Sequence, residues 1–213
     1  MMDIAEESLC FHYELGLAFT LWSRVENTIL QVLFTTFPTK SHFKVGVGFL
    51  SIENFRSKLA FADSIMHEAK LSKLRLKQWD KISQRLGSAS VVRNRLAHGR
   101  VYIYPNEAPG RRMALDSWKL MKTPATNTRP SPGTALCVRD IVGIKYDFFA
   151  LVATMENYSS RLGGAKAPLP ASLEQRAPVP SLQTIRTQIR AALPSLTPPS
   201  KASRLAEALR ARA

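Results

Sequence analysis

Cysteine is scarce in this chain: Cys10 and Cys137 are the only two among 213 residues. They lie far apart and have no His or Cys neighbours at ligand spacing. They therefore offer neither a disulfide framework nor a zinc site. Long apolar runs are also missing. The longest candidates, such as Phe148 to Met155, are core-sized and fall well short of the ~18 residues needed to cross a bilayer. No P-loop or dinucleotide fingerprint occurs, and no metal or organic cofactor is expected. The first residues, Met-Met-Asp-Ile-Ala-Glu-Glu, are acidic where a secretory signal would be basic. With so little cysteine, the expectation is a cytoplasmic protein.

Acidic residues are few as well. Thirty Lys and Arg face 16 Asp and Glu, a net charge of +14. A chain this basic attracts polyanions and repels basic partners. Residues 1–164 carry +8 of that charge and residues 165–213 carry +6. Nucleic acid, RNA in particular, is the expected partner, with plain solubility as the other explanation of the charge. The remaining composition, 45% hydrophobic and 22% charged, suffices for a real core.

Apolar periodicity predicts a mainly α fold. Residues 3–37 read as one long helix, capped by Asp3 with Glu6 three positions on. It is lined by Phe11, Leu15, Ala18, Trp22, Val25, Ile29, Val32 and Leu33 and stopped by Pro38. Residues 39–50, with Gly46 and Gly48, read as a connector. Ser51 is the expected cap of a second helix over 52–70. A third spans 74–98, lined by Leu74, Trp79, Ile82, Leu86, Ala89, Val92 and Leu96. Gly99 should end it in the left-handed conformation. Val101–Tyr104 reads as a strand paired with Met113–Leu120 across a turn at 107–110. Residues 122–133 read as a loop, and 139–162 as a fourth helix ended by Gly163 and Gly164. The division expected is a helical domain, 1–164, with a small β insertion, then a Pro/Ala-rich basic tail, 165–213. That tail holds seven of the 13 prolines and should lack stable order.

One local sequence carries chemistry: Val91-Val-Arg93-Asn94-Arg95-Leu-Ala-His98-Gly99. RNA supplies its own nucleophile, the 2′-hydroxyl. A ribonuclease then needs a proton acceptor near neutral pH, which His supplies. It also needs a cation for the developing phosphorane charge, which Arg supplies as a planar fork. On a helix, Asn94 and His98 lie about 40° apart, whereas Arg93 is about 140° from His98. Arg93 falls among the apolar positions, so it needs a partner or a cleft. Glu26 on the first helix is the expected structural partner. Lys77, Lys81, Arg85, Arg95 and Arg100 are candidate RNA contacts, or simply a solvated basic face.

Four helices with Arg93, Asn94 and His98 near the end of the third resemble the HEPN superfamily. Its motif is Arg, often followed by a polar residue, with four to six residues between the Arg and the His. The resemblance covers the helical core, and nine residues carry it. It implies a HEPN-like helical bundle and a metal-independent endoribonuclease, of the kind found as toxins or defence effectors. It also implies a homodimer that brings two motifs into one cleft, and a cognate antitoxin or other partner protein. His98 would serve as general acid or base, Arg93 would stabilise phosphate charge, and Asn94 would orient groups. Inactive, scaffold-type relatives also exist. Two alternatives stay open on the residues themselves: His98-Gly99 as an ordinary helix end, and Arg93 as a buried ion-pair residue. His12, His42 and His67 have no partner pattern. Trp22, Trp79 and Trp118 read as core or shell.

Overall fold

A computed structural model describes residues 3–37, 39–104, 106–108, 111–116 and 135–164, together with 183, 184 and 187. The described fold is mainly helical, with a small three-stranded sheet. In order come α1 (Ile4–Thr36), a single 3-10 turn (Thr39–Ser41), α2 (His42–Leu50), α3 (Phe55–Glu68), α4 (Lys73–His98), β1 (Arg100–Ile103), β2 (Met113–Asp116), β3 (Leu136–Cys137) and α5 (Val138–Leu162). Two units are distinguished, 1–179 and 180–213. Of the second, Gln183, Thr184 and Thr187 are described, all helical. Thr187 Oγ1 donates to the Gln183 carbonyl at 2.9 Å. The expected loop 122–133, most of the tail and Trp118 lie outside the described residues.

The long helix is set at both ends as the sequence predicts. The Asp3 carboxylate accepts from the Glu6 amide at 2.7 Å, satisfying a first-turn donor that would otherwise be orphaned. At the other end, Phe37 is extended before Pro38, as a residue preceding proline must be. His42 Nε2 bonds the Phe34 and Phe37 carbonyls at 2.7 and 3.0 Å and stacks on the Phe34 ring. A histidine with no sequence pattern thus closes the helix end. The main packing pair is α1 against α5, with α4 lying against α3 and α5. Trp22 sits at the centre of the core, its ring 4.6 Å from that of Phe55 and 5.1 Å from that of Phe148.

Four expectations need correction. Residues 39–50 are helical rather than a connector. Gly46 and Gly48 act there as contact points instead of breakers. A Cβ at Gly46 would meet Phe34 of α1 at 3.3 Å, and one at Gly48 would meet Phe61 of α3 at 3.2 Å. Next, α3 begins at Phe55, because Asn54 provides the cap, accepting from the Arg56 amide at 2.8 Å. Ser51 instead closes α2, its hydroxyl donating to the Gly48 carbonyl. Leu74, placed in the buried stripe of α4, is 66% exposed, since it lies about 140° around the helix from Trp79. Finally, Gly99 is extended, at φ −76° and ψ 155°. The chain runs straight from α4 into β1 and needs no left-handed residue.

The sheet has the order β1-β2-β3 and is antiparallel throughout, with Val101 opposite Leu115 and Ile103 opposite Met113. Met113 and Leu115 are buried. On the other face Tyr104, Ala114 and Ala135 form a small cluster, with Tyr102 against it. The short strand β3 was not expected; two residues before a helix carry no period to detect.

Two carboxylates hold these layers together. Glu7 and Glu14, on α1, are both buried. Glu7 accepts from the Met113 amide at 3.0 Å and lies 3.3 Å from Arg112 Nε, tying α1 to β2 and the residue before it. Glu14 binds Lys145 of α5. No helix among the described residues is long and apolar enough to cross a membrane.

Candidate active site

The candidate residues occupy the second half of α4, and the cover on that helix is uneven. Trp79, Ile82, Ser83 and Leu86 are buried, as is Leu96, yet no residue from Gly87 to Arg95 is. The row that faces the core therefore runs through the half-covered Ala89, Ser90 and Arg93 before Leu96 is buried again. Ala97, on the same row, is exposed.

Arg93 is half-buried at this transition. Its Nε is covered and has no hydrogen-bond partner among the described residues, while its Nη1 donates to the Asn94 side-chain oxygen at 3.2 Å. The expected pair with Glu26 is not formed. Glu26 accepts from Trp22 Nε1 and from Lys58 Nζ, each at 2.8 Å. Lys58 on α3 reaches this carboxylate between the packed helices, and both oxygens are then occupied. Arg93 is thus left without a carboxylate among the described residues.

Asn94 and His98 are exposed, and α4 stays helical through His98. They project within about 40° of each other, and Arg93 points about 140° away from His98. The structure brings Arg93 and Asn94 into contact. It sets His98 at the mouth of the helix, just before the sheet, without joining it to Arg93.

The basic residues of α4 divide by role. Arg75 is structural: its guanidinium donates to the Arg161 carbonyl at the end of α5, and its own carbonyl accepts from Tyr158 at 3.2 Å. Lys77 and Lys81 are exposed, and Arg85 and Arg95 are half-buried. Lys77, Lys81 and Arg95 fall within about 40° of one line along the helix, His98 lying about 60° to its side. Arg100 continues the positive charge onto β1 and is exposed. Asp80, the one acid of α4, is 3.1 Å from His67. The result is a basic strip roughly 27 Å long on the side of α4 away from its packed face.

Other nucleophiles recede. Burial and the neighbouring Asp140 push the Cys137 thiol up, so it stays protonated at neutral pH. Tyr158 is pushed up to about 12, chiefly by burial, and holds its proton against the Arg75 carbonyl. Among the described residues no group of His, Cys, Asp and Glu could hold a metal ion.

No protein-family model, curated protein or solved structure matches this chain.

The sequence missed Glu7 and Glu14, though a signal was there. They continue the apolar row of α1 at positions 7, 11, 14, 18 and 22, so an acid at those places had to be buried and matched.

Proposed function

We propose that this protein is a metal-independent endoribonuclease of HEPN type, acting in the cytoplasm as a twofold dimer, with a toxin or defence role. One observation carries the reading. Arg93 stands in the core-facing row of α4 where cover thins and lacks an acid among the described residues. Asn94 orients it, and His98 lies at the end of the same basic helix. A half-buried guanidinium of this kind is prepared for an anion arriving from outside.

In the reaction, His98 takes the proton of the 2′-hydroxyl as that oxygen bonds to phosphorus. The bond from phosphorus to the 5′-oxygen breaks. The departing oxygen takes a proton from the protonated His98 of a second copy. The products are a 2′,3′-cyclic phosphate and a 5′-hydroxyl. Arg93 offsets the charge on the non-bridging oxygens. Lys77, Lys81, Arg85, Arg95 and Arg100 hold the flanking phosphates. Val91, 69% exposed on the uncovered half of α4, supports a self-complementary contact there.

A second reading is favoured by the divergence of Arg93 and His98 on one helix. It is a HEPN-like scaffold that binds a partner protein or nucleic acid without cutting. The deciding experiment is cleavage of total RNA and of a defined oligonucleotide by the purified protein, beside His98→Ala. The enzyme reading expects a cyclic phosphate product, cleavage that persists in EDTA, and resistance of a substrate with a 2′-deoxy group at the cut site. A His98→Ala variant that cuts as fast as the parent leaves the scaffold reading in its place.

A further inference from the structure

The surface around α2 is unusually apolar for a helix at the edge of the fold. In His42-Phe-Lys-Val-Gly-Val-Gly-Phe-Leu50, only Gly46 and Phe49 are buried. Phe43 is 81% exposed, Val47 53% and Leu50 64%. These three recur at i, i+4 and i+7 and form one stripe. Beside it, between α2 and α3, runs an open groove of about 620 Å³ whose lining includes Phe37, Val45, Ala60, Phe61 and Ile65. A helix apolar nearly all round is normally covered.

We propose that the α2–α3 face docks an acidic amphipathic helix of a partner protein. The helix would seat its apolar anchors in the groove, and the partner's adjoining surface would cover Phe43, Val47 and Leu50. Three observations select this occupant. No acidic residue occurs from Asn27 to Ile52, while Lys40 and Lys44 are exposed, so the α2 side of the face suits negative charge, Glu68 of α3 being the one acid among the groove's lining residues. The same lysines would oppose each other across a twofold axis, which disfavours a second copy. The exposed stripe is on the order of 300 Å², taking such side chains at roughly 150–250 Å² each, against about 800 Å² per partner in a stable association. Such an area fits a helix laid in a groove better than a dimer held by this face. A flat bilayer would leave the groove unfilled. This inference is independent of the ribonuclease reading.

The test uses the full chain, isotope-labelled, and a synthetic helix-forming peptide with Leu at i, i+4 and i+7 and Glu elsewhere. The expected result is saturable amide shifts on α2 and α3. Binding should weaken at least about tenfold for Ala60→Glu/Ser64→Glu, and similarly for a peptide with Lys in place of Glu. Ala60 and Ser64 are exposed positions of α3, so the double variant should keep the parent melting temperature. Lys44→Glu gives a second, purely electrostatic readout in the same direction. Four outcomes overturn the proposal: no shifts at millimolar peptide, shifts confined to the basic strip of α4, or parental affinity in the double variant. The fourth is binding to phosphatidylserine vesicles, or self-association, that Phe43→Glu/Val47→Glu abolishes while the peptide leaves the groove untouched.

Discussion

Three charged side chains lie in core-facing rows of this fold, and α1 and α4 treat them differently. On α1, Glu7 and Glu14 are fully covered, and each meets a cation from another element: Arg112 before β2 and Lys145 on α5. On α4, Arg93 occupies the equivalent row, and its hydrogen bond among the described residues is to the side chain of its neighbour, Asn94. A buried charge is tolerated when it is paired and hydrogen-bonded, and removing one partner is costly because the other is stranded. The carboxylates of α1 are matched by that logic and belong to the architecture. Arg93 is half-covered and, among the described residues, unmatched by acid, on the stretch of α4 between the buried Leu86 and Leu96. This contrast is the physical basis for placing function on α4 and structure on α1.

The contrast breaks first under two substitutions made side by side. Arg93→Ala should reduce RNA cleavage by roughly 10²–10³-fold, the usual cost of removing a group that meets transition-state charge. Its stability should stay within about 1 kcal/mol of the parent, as expected where no buried partner is stranded. Glu14→Ala should do the reverse. It leaves the half-buried Lys145 without its carboxylate and should cost about 3 kcal/mol by denaturant unfolding. If Arg93→Ala proved as destabilising as Glu14→Ala, the arginine would be structural and the assignment of roles would fail. The double variant Glu14→Leu/Lys145→Met sharpens the point. With both charges gone it should recover most of the lost stability, since an apolar pair of similar volume is often neutral or better.

A smaller effect is expected where α2 meets its neighbours. Gly48→Leu puts a side chain where a Cβ alone would stand 3.2 Å from the Phe61 ring. Overpacking of this kind should cost about 1–3 kcal/mol, read as a lower urea midpoint with an unchanged slope. The basic strip on α4 should be unaffected, so RNA binding by the folded fraction should match the parent.

Much of this was legible in the sequence, for reasons that differ by element. The long helices show because Phe11, Trp22, Trp79 and Phe148 recur in phase over many turns. Ends such as Asp3 and Pro38 show because their chemistry is local. The helix α2 was hidden because Gly46 and Gly48 usually signal a break. Their use here depends on Phe34 and Phe61, which are distant in sequence. The Arg93-Asn94…His98 spacing was plain, and so was the tension of an arginine among apolar positions. Its partner was not: Glu26 suited Arg93 by sequence position, but Lys58 and Trp22 reach it instead. Which cation meets which acid is decided by packing between helices, and periodicity within one helix carries no record of it.

The smallest effect concerns the end of α4 away from the candidate site. Tyr158 on α5 donates to the Arg75 carbonyl at 3.2 Å, and Arg75 in turn donates to the Arg161 carbonyl. This fastens the start of α4 to the end of α5. Tyr158→Phe should cost about 1 kcal/mol, the typical net value of one such bond, and should leave cleavage unchanged. The pH dependence has a definite sign. Burial raises the Tyr158 pKa to about 12, above the value of about 10 in an unfolded chain. The folded state therefore holds the proton more tightly. The stabilisation is fully present below pH ~10 and is lost as pH rises from there toward 12. Melting temperature should fall across that window in the parent and fall less in Tyr158→Phe. Parallel curves for the two proteins would show that this tyrosine does not link α4 to α5 energetically.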